Sequence, residues 1–238
     1  MSHLILVRHG QSRWNLSNKF TGWVDVPLSA KGIKEAYLNA EELKNYKFDI
    51  AFTSELVRAQ ETLLIIFSHQ NKTGIFQHKN ARSKWLKYSE KIEKNEIPIF
   101  HNIDLNERYY GKLQGMNKQL ARKEFGEAIV FAWRRSFEVA PPGGESLKDV
   151  YKRILPYYKK NILKALRQKK EVLLVAHGNS LRALIKYLED ISDADIPHLE
   201  LVTGKPIIYK YKAGKLKKIS REFTYDRPIY WTVPKSKE

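Results

Sequence analysis

The stretch EVLLVAHGNSLRALIKYLED, residues 171–190, decides the fold class. Its opening, EVLLVAH (171–177), is a short unbroken apolar run, the pattern of a strand buried on both faces. The remainder, NSLRALIKYLED (179–190), has the apolar spacing of a helix. The same strand-then-helix unit recurs along the chain. LILVR (4–8) reads as a buried strand, and Ser29 as the N-cap of a helix running to about Tyr46. FDIAFTS (48–54) is a second strand and ELVRAQETLLIIF (55–67) the helix after it. IPIFHN (97–102) is a third strand, whose Pro98 suggests a sheet edge or a strand start. Helices are expected at 117–125, 127–137 and 146–168, the last kinked at Pro156. PIIYKYKAGKLKKIS (206–220) reads as a hairpin turning at Ala213–Gly214. Strands alternating with helices imply an α/β fold with a mostly parallel sheet.

The expected organisation is one α/β domain over residues 1–225, followed by a mobile tail at 226–238. Residues 69–96 are polar and basic, with no strong apolar period. They read as a surface insertion that holds one short helix near 82–94.

Composition narrows the classes. A chain of 238 residues, 42% hydrophobic and with five Trp, can bury a sizeable core. It has no Cys, which excludes disulfides and thiolate metal sites and fits a reducing compartment. The apolar run at the N-terminus is far shorter than a membrane span, and it lacks the flanks of a signal peptide. The expectation is a cytoplasmic protein with no membrane partner.

The net charge of +17 admits nucleic acid, a polyanionic small molecule, or a Lys-rich surface set by genome composition. Lys outnumbers Arg, 30 to 13. The most basic stretch, YKRILPYYKKNILKALRQKK (151–170), has Ile and Leu at helical spacing. It reads as an amphipathic helix with a solvated Lys face, so nucleic acid is not expected as a partner.

The chemistry lies in an echo. LVRHGQS (6–12) and LVAHGNS (174–180) each join an apolar strand to His-Gly, a polar residue and Ser. In open α/β sheets, ligands bind beyond the carboxyl ends of the strands. Two imidazoles would then stand at one sheet edge, with Gly10 and Gly178 letting a ligand approach the backbone. Arg8 beside His9 opposes a divalent metal and favours a phosphate, which Arg grips with two N–H groups. No metal is expected. A neighbouring cation also keeps an imidazole neutral, and a neutral imidazole is a nucleophile. The pieces fit phosphoryl transfer to His9, with Arg8 and His177 stabilising the moving charge and a general acid still to be found. His3, His69, His78, His101 and His198 are scattered singly and read as incidental.

With FTGWVDVPLS (20–29), FTSELVRAQET (52–62), LNERYYGKLQGMNK (105–118), WRRSF (133–137), PPGGESL (141–147) and AHGNSLRALIKYLE (176–189), the chain resembles the cofactor-dependent phosphoglycerate mutases of the histidine phosphatase superfamily. The resemblance covers nearly everything except residues 69–96 and the tail. It implies a three-layer sandwich with helices on both faces of the sheet. It implies that His9 is the phosphorylated nucleophile, that Arg8, Arg58 and His177 cradle the phosphoryl oxygens, and that Glu107 is the proton donor. Ser12, Asn15, Thr21 and Gly22 match substrate contacts on one side of the pocket. Arg108, Tyr110, Lys118, Arg134, Arg135, Gly178 and Asn179 match those on the other side. Trp23 and Trp133 read as packing beside the pocket.

The implied reaction interconverts 3-phosphoglycerate and 2-phosphoglycerate, primed by 2,3-bisphosphoglycerate. The implied assembly is a homodimer or homotetramer. A phosphatase or a bisphosphoglycerate synthase on the same fold is the alternative. Gln11 and Tyr109 depart from the usual family residues. The chain between Arg58 and Glu107 is also longer than usual, which is where the insertion at 69–96 is placed.

Overall fold

The computed structural model describes residues 1–78 and 91–220. The expected tail at 226–238 lies outside them, as does most of the short helix expected near 82–94. The described end of that stretch, 91–94, is not helical.

Seven strands form one sheet in the order β3-β4-β2-β5-β1-β6-β7. They are β1 (Ser2–Arg8), β2 (Ile50–Thr53), β3 (Thr73–Phe76), β4 (Glu96–His101), β5 (Val172–Ala176), β6 (Ile207–Lys212) and β7 (Lys215–Lys218). The pairs β3/β4, β4/β2, β2/β5 and β5/β1 are parallel, whereas β6 runs antiparallel to β1 and β7 to β6. The sheet is therefore mostly parallel, with an antiparallel hairpin on one side. That hairpin turns where expected, with Ala213 and Gly214 both at positive φ.

The central strands alternate their side chains between two apolar layers. Leu4, Leu6, Phe52 and Leu174 face a cluster that includes Val150 and Ile154 of α6 (Leu147–Tyr157) and Leu181 and Leu184 of α8 (Gly178–Leu188). Ile5, Val7, Ala51 and Leu173 face the opposite way, onto Ala40 of α2 (Ala30–Glu42) and Leu63 and Ile66 of α3 (Val57–His69). Helices thus cover both faces, which is why the strands carry continuous apolar runs. As expected, the Ser29 side chain caps α2, accepting from the Gly32 N–H. A smaller cluster of Phe20, Leu113, Ala121, Val130 and Trp133 joins α4 (Lys118–Phe125) and α5 (Glu127–Arg135) to the loop after β1.

Two local expectations are corrected. Pro98 is neither at an edge nor at a strand start: β4 is flanked by β2 and β3, and Pro98 pairs with Ile75. The edge is β3, four residues inside the stretch read as a surface insertion. Its run Thr73–Phe76 is too short to show a period, and its pairing to β4 is decided by register rather than by its own composition. The helix over 146–168 passes through Pro156 and then widens into a π turn at Tyr158–Ile162 before α7 (Leu163–Arg167). The irregularity expected at the proline takes that form.

Candidate active site

The two echoed segments lie side by side. β1 and β5 pair in register from Leu4↔Val172 to Arg8↔Ala176. The His9 N–H then donates to the Ala176 carbonyl at 3.0 Å, so both chains leave the sheet together. The rings of His9 and His177 come to 4.9 Å between centroids, tilted by 58°. Both residues are buried.

The environment decides what each ring can do. His9 Nδ1 lies 2.6 Å from the Gly10 carbonyl, which can only accept, so Nδ1 carries the proton and Nε2 keeps its lone pair. Burial, then Arg58 and Arg8, hold the His9 pKa well below the ordinary 6.5. Burial lowers that of His177 as well, helped by Arg58 and His9. Both rings are neutral near pH 7. His177 Nε2 lies 2.7 Å from Ser54 Oγ, while its Nδ1 is buried without a partner.

Arg58 comes from the first turn of α3. It is buried and donates to the carbonyls of Gly22 (2.8 Å) and Val24 (3.0 Å), which fixes the loop after Phe20. Burial lowers its pKa to about 10, against the pull of Glu107 and Asp25. Gly22 needs to be glycine here. Its φ is +53°, and a Cβ would stand 2.1 Å from Oε1 of Gln114. Thr21 Oγ1 is buried and has no partner.

Glu107 is held at both ends. One carboxylate oxygen accepts from the backbone N–H of Arg108 (2.7 Å) and of Asn179 (3.2 Å). Its carbonyl accepts from the indole of Trp23 (2.5 Å) and from Arg153 (3.0 Å). Arg153 is itself locked by Glu145, at 2.8 and 3.0 Å, in the PPGGES loop.

These groups open into a cavity of about 130 Å³. Among the described residues its wall has seven basic side chains (Arg8, Lys19, Arg58, Lys118, Arg134, Arg135 and Arg182) against the carboxylates of Glu107 and Glu200. Burial, and after it the crowding of cations, disfavours the charged forms of these side chains. Burial, followed by Arg134 and Arg8, lowers Lys118 to about 8. Burial, followed by Arg108, lowers Arg182 to about 9. Such a cluster is tolerated where it is tied to carbonyls and carboxylates. Arg8 donates to the Leu201 carbonyl at 2.5 Å, Arg135 pairs with Glu200 at 2.8 Å, and Arg182 reaches the carbonyls of Arg135 (3.0 Å) and Ile196 (2.7 Å). The Arg8 Nε remains buried without a partner.

Thirteen of the residues singled out in the sequence line this cavity: Arg8, His9, Asn15, Thr21, Gly22, Arg58, Glu107, Tyr110, Lys118, Arg134, Arg135, Gly178 and Asn179. His177 stands beside His9. Two others lie outside the wall. Ser12 is fully buried as the N-cap of α1 (Arg13–Leu16), exchanging hydrogen bonds with Asn15. Arg108 is fully buried, donating to the Arg134 carbonyl (2.6 Å) and to the Tyr110 hydroxyl (3.4 Å).

Gly10 also differs from its expected role. A Cβ there would meet the Gly32 carbonyl oxygen at 2.2 Å, so the glycine admits the start of α2 rather than a ligand. Trp23 does more than pack, because its indole holds the Glu107 backbone. Lys19, Phe20, Arg182, Glu200 and Leu201 line the cavity and were not foreseen, nor was Arg153 behind Glu107. Arg182 was within sight, in a quoted motif one turn after His177. Glu200 and Leu201 carry no local signal. Among the described residues, no group of three or more His, Asp or Glu is placed to hold a metal ion.

Comparison with known proteins places this geometry in a family. A sequence profile of the histidine phosphatase superfamily, branch 1, matches residues 4–82 and 88–221. The chain belongs to that superfamily. It is 48% identical to a 2,3-bisphosphoglycerate-dependent phosphoglycerate mutase of Methanosarcina acetivorans, covering 91% of this chain and 94% of the relative. It is 47% identical to one of Chlamydia pneumoniae, covering 92% and 97%. Among solved structures, a mycobacterial glucosyl-3-phosphoglycerate phosphatase in complex with VO3 superposes with a TM-score of 0.73 at 22% identity, covering 92% of this chain and 98% of that one. The likeness at that identity concerns the fold. It agrees with the three-layer α/β architecture described above.

Proposed function

We propose that this protein is an isomerase that interconverts 3-phosphoglycerate and 2-phosphoglycerate through phosphorylated His9. The observation that carries the reading is the pairing of a buried, neutral, Nδ1-protonated His9 with a cavity walled by seven basic side chains. The names and identities of the curated relatives support the same substrate class.

The cavity suits 2,3-bisphosphoglycerate. Its unpartnered buried donors, Arg8 Nε and Thr21 Oγ1, and its excess of cations answer a small polyanion. When bound, the bisphosphate supplies the phosphoryl group that loads His9. Arg8, Arg58, Thr21 and His177 are positioned to hold that group, and Lys118, Arg134 and Arg135 to hold the carboxylate and the second phosphate. His9 Nε2 gives its lone pair to phosphorus as the P–O bond to the substrate oxygen breaks. Glu107 gives a proton to the departing alkoxide and takes it back in the reverse transfer. Arg and His donors supply the charge stabilisation, so no metal is part of the proposal. Cytoplasmic location and assembly into a homodimer or homotetramer accompany it as expectations from the family.

The deciding assay follows 3-phosphoglycerate in the presence of chelator, with and without 2,3-bisphosphoglycerate. Isomerisation that depends on the bisphosphate and ignores the chelator is expected. Rapid release of phosphate with little isomerisation would turn the reading to a phosphatase.

A further inference from the structure

Ser54 was not among the residues assigned to the site, and it does not line the cavity. It is fully buried at the end of β2, where Thr53 pairs with Val175 of β5. Its hydroxyl lies 2.7 Å from His177 Nε2. The same oxygen accepts from the Leu56 N–H at 3.2 Å, just ahead of the helix that carries Arg58.

A hydroxyl has one hydrogen to give. Among the described residues no carbonyl or carboxylate accepts from Ser54 Oγ, so its hydrogen has His177 Nε2 as its acceptor. In a neutral ring the proton must then sit on Nδ1. That Nδ1 is the buried nitrogen without a protein partner, on a ring centred 4.9 Å from the His9 ring. A buried N–H left unpaired beside the nucleophile costs free energy unless a ligand atom takes it up.

We propose that Ser54 is a positioning residue: it fixes His177 in the Nδ1–H tautomer and aims that N–H at the phosphoryl oxygens of the group entering or leaving His9. The proposal rests on the phosphohistidine reading above, but its first test does not. Nitrogen-15 NMR of histidine-labelled wild-type protein reports which ring nitrogen of His177 carries the proton. Nδ1–H is expected, and Nε2–H would overturn the proposal whatever the enzyme does.

Variants supply the second test. Ser54→Ala is expected to lose the single tautomer and to slow loading of His9 by 2,3-bisphosphoglycerate roughly tenfold to a hundredfold. KM should change little, and Ser54→Thr, which keeps the hydroxyl, should restore both the tautomer and the rate. A merely structural Ser54, acting through the Leu56 N–H, would lower the melting temperature of Ser54→Ala without altering the tautomer. That outcome, or loading within twofold of wild type, would refute the positioning role. Failure of the wild-type protein to form phosphohistidine at all would count instead against the proposed function.

Discussion

The ends of β1 and β5 carry nearly the same letters, VRHG and VAHG, yet different nitrogens of the two imidazoles are tied up. At His9 the backbone carbonyl of the next residue holds Nδ1 and leaves the Nε2 lone pair available. At His177 a serine from a third strand holds Nε2 and leaves Nδ1 without a partner. In the proposed reaction one ring attacks and the other donates. Arg8 at the first end is replaced by Ala176 at the second, and both rings feel the cations of Arg58 and Arg8. A repeated motif therefore does not imply a repeated role. The ring nitrogen of His9 is held by its own neighbour and that of His177 by a residue from another strand, and this difference separates the two rings.

The comparison breaks most completely at His9. His9→Ala is expected to abolish turnover and acid-labile phosphorylation together; label that persists in this variant would move the nucleophile to another residue. Glu107→Gln keeps the hydrogen bonds from Arg108 and Asn179 but removes the transferable proton. A fall in kcat on the order of 10²–10⁴ is expected, with KM little changed. A defect in KM alone would assign Glu107 to binding.

His177→Ala tests the donating ring. Loss of one charge-stabilising donor typically costs about 10²–10³ in kcat. Phosphorylation of His9 should slow but persist, and complete loss of label would make the two rings equivalent.

The smallest expected effect is on stability. Both rings have pKa values well below the ordinary 6.5 in the folded state. Below pH 6.5 the unfolded chain takes up protons at these positions while the folded chain does not. Stability should therefore fall as the pH drops through 6.5, by roughly 1 kcal/mol per ring for each pH unit, until the folded rings titrate. Above pH 7 neither ring contributes. Denaturant midpoints at pH 5.5 and 7.5 check this, and the doubly substituted His9→Gln, His177→Gln protein should show a shallower loss.

Much of the site is legible because its chemistry is local. Arg8-His9 stands out at a strand end and Arg134-Arg135 as a basic pair in a helix, whereas Glu107 and Arg108 were reached through the family resemblance. The residues that escaped notice share a different property: their roles depend on partners far away in the chain. Arg153 lies in a stretch whose lysines dominate its composition, and only packing shows it turned inward to the Glu107 carbonyl, 46 residues away. Glu200 meets Arg135 across 65 residues, and Ser54 meets His177 across 123. Gly10 was read as making room for a ligand because it follows His9, and Ser12 as a substrate contact through the family resemblance. In the fold Gly10 packs against Gly32 and Ser12 caps a helix.

The sequence by itself determined the α/β class, the central buried strands and the two histidines at one sheet edge. Unbroken apolar runs and strand–helix alternation depend only on neighbours along the chain. Tertiary structure alone decided that Thr73–Phe76 closes the sheet edge and that Pro98 sits inside it, because strand order is a matter of register between distant segments. It also brought burial and Arg58 to bear on the protonation of both imidazoles and Ser54 against His177. Arg8 and the Gly10 carbonyl act on His9 from beside it, but burial, Arg58 and Ser54 are not encoded next to the rings they act on.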